Sequence, residues 1–164
     1  MNTARLALPL LAAGQAQKEM THNEALATLD IAVQASVAAV GVNGPPAAPL
    51  EGDAWIVGAA PSGDWAGQAG AIASWTAGGW RFLAPAEGLA AWSRADSAVA
   101  RYRAGGWEVG VVRGSRLVIG GNPVVGARQP AIADPGAGRT IDSEARQALG
   151  QILATLRAHG LIAS

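Results

Sequence analysis

From Gln15 to Val40 the chain reads QAQKEMTHNEALATLDIAVQASVAAV, and within it Leu26, Leu29, Val33, Val37 and Val40 recur every three or four residues. That spacing lays them along one stripe of an α-helix. Thr21 followed by Glu24 has the spacing of a capping box, in which the threonine hydroxyl accepts from the Glu24 backbone N–H and the carboxylate reaches back to the Thr21 N–H. Gly41 and the Pro45-Pro46 pair end the stretch, since glycine suits a left-handed cap and proline cannot continue a helix. A narrow apolar stripe on an alanine-rich helix has to be covered, either by a domain or by copies of itself.

Beyond it the period changes. Residues 42–52, VNGPPAAPLEG, read as a stiff proline-rich linker. From Asp53 to Gly126 glycine interrupts the chain every few residues, and the apolar runs between are short, such as AWIVG, AIASW and WEVGVV. Runs of this length bounded by turn residues predict strands. ASWTAGGWRF (73–82) and ARYRAGGWEV (100–109) share one pattern. Each reads as a β-hairpin in which Gly-Gly supplies positive φ and Trp80 or Trp107 faces Trp75 or Tyr102 across the strands. A further hairpin is expected at 114–126, turning at Gly120-Gly121-Asn122. Residues 127–139 read as a second linker, and a second helix over about 141–159 is capped by Thr140 or Asp142. Its apolar residues Ala145, Leu149, Ile152 and Leu156 again keep a spacing of four, three, four.

The expected architecture is therefore α+β. An arm and helix (1–41) and a linker (42–52) lead into an antiparallel Gly/Trp-rich β module (53–126), followed by a linker (127–139) and a C-terminal helix (140–164). The β module is poor in large aliphatics, so self-association through both stripes would bury what one copy cannot. A parallel homotrimer is the expected arrangement, with Leu26, Leu29, Val33, Val37, Val40, Leu149, Ile152 and Leu156 in its seam.

Composition narrows the chemistry. Lys plus Arg equals Asp plus Glu at 12 each, so nothing draws the chain to nucleic acid or to an anionic membrane, and neither is expected as a partner. Cysteine is absent, which excludes disulfides and thiolate metal sites. LALPLLAAG is too short and too soon followed by polar residues to span a membrane or serve as a secretory signal, so synthesis in the cytoplasm is expected. It reads as an extended arm that alternates Leu6, Leu8 and Leu10 onto a surface. His22 and His159 lack metal-ligand spacing. Asp53 and Asp64 sit in ordinary turn contexts rather than as an acid–base pair, and no catalytic, metal or cofactor residue is expected. The five arginines between Arg94 and Arg116 fit the outer face of a hairpin better than a nucleic-acid surface. Of the six tryptophans, Trp65 lies among turn residues in PSGDWAGQAG. It is the one expected to be exposed and able to stack on a sugar.

GQAQKEMTHNEALATLD, followed by PLEGDAWIVG, GDWAGQAGAIASWTAGGWRFLAPAEG and the RYRAGGWEV hairpin, resembles a domain of otherwise undefined function. That domain occurs in phage tail-fibre-like proteins and gene transfer agents of alphaproteobacteria. The tail VVGARQPAIADPGAG and TIDSEARQALGQILATLRAHGLI is similar to the C-terminal segment many of them carry. Gln15, Gln17, Lys18, His22, Asn23 and Glu24 match the family's most specific block. The resemblance implies a non-enzymatic fibre, head spike or attachment base of a virion or virion-like particle. Its implied partners are other capsid or tail proteins, and cell-surface polysaccharide where it contributes to host adsorption. Many relatives continue into a long variable region, and without one a short fibre or an attachment base is the closer expectation.

Overall fold

The computed structural model describes residues 1–12, 14, 18–136 and 142–163. Residues Met1–Val112 and Arg113–Ser164 form two compact units.

In the first unit, helix α1 runs Lys18–Ala32. It starts before Thr21 and stops well short of Val40. Thr21 and Glu24 therefore sit inside the helix rather than at its cap, and the Glu24 carboxylate is engaged by Arg81 instead. Val33 N–H still reaches the Leu29 carbonyl, but Gln34 adopts φ +46° and turns the chain out of the helix. Beyond the turn, Val37 and Val40 belong to two short strands, β1 (Ser36–Val37) and β2 (Val40–Val42). These β-branched residues lose rotamer freedom in a helix and pack well on a sheet. Their spacing matched a helical stripe because two strands in tandem place one valine each toward the interior. The orphan carbonyls at the end of α1 are met by Arg5, whose guanidinium donates to Asp30 O, Ile31 O and Gln34 O. Residues 1–10 are not an extended arm. They fold back as a small hairpin with an antiparallel bridge between Asn2 and Pro9, turning through Ala7 at φ +53°.

The remaining strands are β3 (Ala54–Val57), β4 (Ile72–Thr76), β5 (Gly79–Leu83), β6 (Ala90–Ser93), β7 (Ala98–Arg103) and β8 (Gly106–Val109). They form two four-stranded sheets, ordered β2-β3-β4-β5 and β1-β6-β7-β8. In each sheet a short strand from residues 36–42 pairs in parallel with the first strand of an antiparallel meander. The repeat visible in the sequence is the second hairpin of each meander. Trp75 faces Trp80 with ring centroids 5.0 Å apart, and Tyr102 faces Trp107 at 5.5 Å. The turn conformation differs between copies. Positive φ falls on Gly79 in the first, and on Ala104 and Gly105 in the second. Residues 42–52 are no free linker, because Val42 pairs with Val57 and Asn43 holds Ala60 and Ser62.

The core of this unit is built from small residues around a few aliphatic anchors. Val37, Ile56 and Ile72 are fully or almost fully buried, with Ala35, Ala54, Ala91 and Ala100 packed among them and Ile31 of α1 closing one side. Each aliphatic anchor contributes about 1.5–3 kcal/mol on burial.

The second unit contains the hairpin β9 (Leu117–Ile119) and β10 (Asn122–Val125), turning through Gly120 and Gly121 as expected, and helix α2 (Ser143–Ala158). The hairpin thus belongs with the C-terminal helix, not with the β module. Asp142 is the cap, accepting from Ala145 N–H at 2.8 Å, while the other candidate, Thr140, lies outside the described residues. Leu153 and Ile162 are buried. Segment 127–134, read as linker, pairs Gln129 with Ile162, and Arg157 bridges Asp134 and the Ile132 carbonyl.

Candidate functional site

Trp65, expected on the surface, is completely buried. A single 3-10 turn, Gly63–Trp65, swings its indole inward against Trp55 and Trp80, at centroid distances of 6.1 and 5.1 Å. The polar residues around Trp65 fixed the shape of that turn and said nothing about where the indole points. Trp75 joins the same cluster through Trp80, so Trp55, Trp65, Trp75 and Trp80 form one aromatic chain. Trp107 N–H donates to the Gly70 carbonyl at 2.8 Å, tying the second meander to the loop before β4. The exposed tryptophan is Trp92, at 47 %, beside its cross-strand partner Val99 at 43 %. In β6 the small residues Ala91 and Ser93 point inward and the large one outward. That inverted alternation was the available signal.

The expected seam also divides. Val37 is core and Val40 packs against it, whereas Leu29 and Val33 are exposed and Leu26 is half-buried. In α2 the unit buries Leu153, leaving Leu149 and Ile152 exposed and Leu156 half-buried.

A concave site opens where α1 lies along the first sheet. Asn2–Ala4 of the N-terminal hairpin, Asn23, Glu24, Ala27 and Asp30 of α1, Glu51-Gly52, and the β4–β5 turn with Trp75 and Arg81 enclose about 180 Å³. Three contacts fix its walls. Asp30, almost fully buried, accepts from Thr3 Oγ1 at 2.8 Å, Leu6 N at 2.6 Å and Arg5 N at 3.1 Å, pinning the N-terminal hairpin to α1. Asn23 accepts from Leu11 N and donates to Leu11 O, pinning the chain just before the helix. Glu24 takes Arg81 in a two-pronged pair, Oε2 to Nε at 2.8 Å and Oε1 to Nη2 at 2.7 Å, which ties α1 to β5. Hydrogen bonding from Arg81 holds the Glu24 carboxyl below its ordinary value, with burial opposing and the guanidinium charge assisting. Glu24 is therefore an ionised acceptor at neutral pH and no proton donor. Asn23 and Glu24 of the block HNEAL thus act as fasteners between α1 and its surroundings, while Gln15 and Gln17 lie outside the described residues.

Residues read as inert chemistry have ordinary occupations. Asp53 accepts from Leu50 N and meets Arg94 at 3.4 Å. Exposed His22 pairs its Nδ1 with the Lys18 carbonyl, and His159 caps α2. Arg101 and Arg103 alternate outward on β7. Among the described residues no cluster of three or more His, Cys, Asp or Glu could hold a metal ion, and no helix is long and apolar enough to cross a membrane.

No curated protein matches the chain. The model of a family described as a protein of unknown function, DUF2793, matches residues 22–108. That match runs from the second turn of α1 to the last residue but one of β8, so it takes in both sheets and three walls of the cleft. With more than half of its 164 residues matched, the chain belongs to the DUF2793 family.

Proposed function

We propose that this protein is a non-enzymatic structural component of a phage-like or gene-transfer-agent particle, a short fibre, a spike or its attachment base, assembling as a parallel homotrimer. The observation that supports the reading is the hairpin of the C-terminal unit. Leu117, Val118, Ile119, Val124 and Val125 are all between 45 and 61 % exposed, on both faces of two strands. A lone two-stranded hairpin is marginal in water and needs a third layer. Leu149 and Ile152 on α2 add two more uncovered aliphatics. Copies of the same unit supply matching apolar surface, and a protomer built for assembly leaves such surface for its neighbours. The resemblance to fibre and spike proteins points the same way. Light scattering at micromolar concentration is expected to give a trimer mass, and Ile152→Asp or Val118→Asp is expected to shift it toward monomer. A monomeric parent protein overturns the assembly, and failure to co-purify with particles overturns the particle role.

A second reading, recognition of cell-surface polysaccharide, passes from Trp65 to Trp92, which is exposed on β6.

A further inference from the structure

We infer, resting on the polysaccharide reading, that the outer face of the sheet β1-β6-β7-β8 takes an acidic pyranose, a uronic acid residue of a polysaccharide chain, at Trp92. The other tryptophans are already occupied. Trp55, Trp65, Trp75 and Trp80 pack on one another, and Trp107 lies against Tyr102 and donates to the Gly70 carbonyl. Among the described residues Trp92 touches no other aromatic ring and its indole N–H meets no acceptor. Its neighbours on the sheet are short. In register, Trp92 stands between Ser36 of β1 and Val99 of β7, with Ala90 two residues back on its own strand. An exposed indole among such side chains leaves room for the C–H face of a pyranose to lie against it.

The charged groups of this face select an acid. Arg101 and Arg103 follow Val99 on the outward side of β7, which makes Arg101 the diagonal neighbour of Trp92. Diagonal positions across a strand pair are about 7–8 Å apart, within reach of a long side chain. Arg101 gives the Gly88 carbonyl one of the several N–H donors its fork carries, and Arg103 has no hydrogen-bond or ion-pair partner among the described residues. The nearby acids are already engaged. Glu108, opposite Arg101 on β8, has a partner, and Glu87 accepts from Ala104 N–H. Asp96 accepts from Ser93 Oγ, and Asp53 accepts from Leu50 N–H and Arg94. The unused capacity beside Trp92 is therefore that of cationic donors, and a carboxylate is the group that matches a guanidinium fork. Single-stranded nucleic acid also combines aromatic and basic contacts, but it stacks successive bases on several rings, and this face presents one.

The test titrates the full-length protein with the trimer of galacturonic acid and with its methyl ester, which keeps the rings and removes the charge. A single-stranded oligothymidylate is the third probe. The six indole N–H signals are followed by NMR, and affinities by calorimetry. Saturable shifts centred on the Trp92 signal are expected with the acid. The ester is expected to bind at least tenfold more weakly, equivalent to ~1.4 kcal/mol. Trp92→Ala is expected to weaken the acid by a similar factor with the melting temperature retained, because the side chain lies at the surface. Arg103→Gln is expected to weaken the acid and leave the ester unchanged, a split that lost packing alone would not produce. Ester binding as tight as the acid, acid binding undiminished in either folded variant, or oligothymidylate binding more tightly than the acid overturns the inference. If surface polysaccharide binds the parent protein and the acid does not, the acidic class is wrong and polysaccharide recognition stands. Absence of binding to the trimers and to surface polysaccharide alike removes both.

Discussion

A Cβ on Gly58 would stand 2.2 Å from Asn43 Oδ1 and 2.6 Å from the Gly41 carbonyl. Asn43 is held where it is, because its Oδ1 accepts from Ala60 N–H and its carbonyl accepts from Ser62, and the Gly41 carbonyl is backbone. Gly58→Ala is therefore expected to destabilise the first unit by about 1–3 kcal/mol, the usual range for overpacking, read as a lower melting temperature. Trp65→Ala empties a fully buried aromatic site and is expected to cost about 3–5 kcal/mol in denaturant unfolding, and Trp80→Ala, which empties a half-buried one, is expected to cost less. A Trp65→Ala variant as stable as the parent would contradict its burial. Glu24 carries a pH signature. Its folded pKa lies below the unfolded value of 4.5, so the stabilisation from the Arg81 pair is present above that value and is lost as pH falls through the lowered folded pKa. The pair is largely solvent-exposed, and exposed pairs contribute at most ~1 kcal/mol. Melting temperatures of the parent and Glu24→Gln are expected to differ slightly at pH 7 and to converge as the pH falls through the lowered folded pKa of Glu24.

The N-terminal hairpin is held mainly by side chains on α1, above all Asp30, with Arg5 returning the contact to the helix end. Asp30→Ala leaves three donors unmatched in a nearly buried place, and the loss is expected to be about 1–3 kcal/mol. It should appear as faster hydrogen exchange at Leu6 and Leu8 while the strands stay protected. Contacts of this reach explain which elements the chain announced in advance. Both Gly-Gly-Trp hairpins, the 117–125 hairpin and the Asp142-capped helix rest on neighbours a few residues apart, and their signals are local. The parallel strands β1 and β2 are too short for alternation to declare, and their valines kept a helical interval. The cleft was illegible for a different reason. Its walls join Thr3 to Asp30 and Glu24 to Arg81, pairs 27 and 57 residues apart, and no spacing within one segment encodes them. Trp65 is hidden from the sequence because its polar neighbours suggest exposure, whereas the 3-10 turn directs its side chain inward.

At the scale of the molecule, all six tryptophans fall within Met1–Val112, so indole fluorescence reports the first unit only. Asp142→Ala removes the α2 cap and is expected to cost about 1 kcal/mol in the second unit. That change should shift the far-ultraviolet helical signal and leave the fluorescence transition where it was. A coincident shift of both would mean that the two units unfold as one. The first unit itself is stitched at one place, where residues 36–42 supply the leading strand to both sheets. Two copies of the hairpin motif have consumed both strands that this seven-residue donor offers. A third tandem copy would begin with an unpaired edge and no upstream strand to close it, so the motif cannot be multiplied along the chain as blades or solenoid coils are. Any length such a protein needs has to come from setting molecules end to end, or from sequence of another kind joined to it.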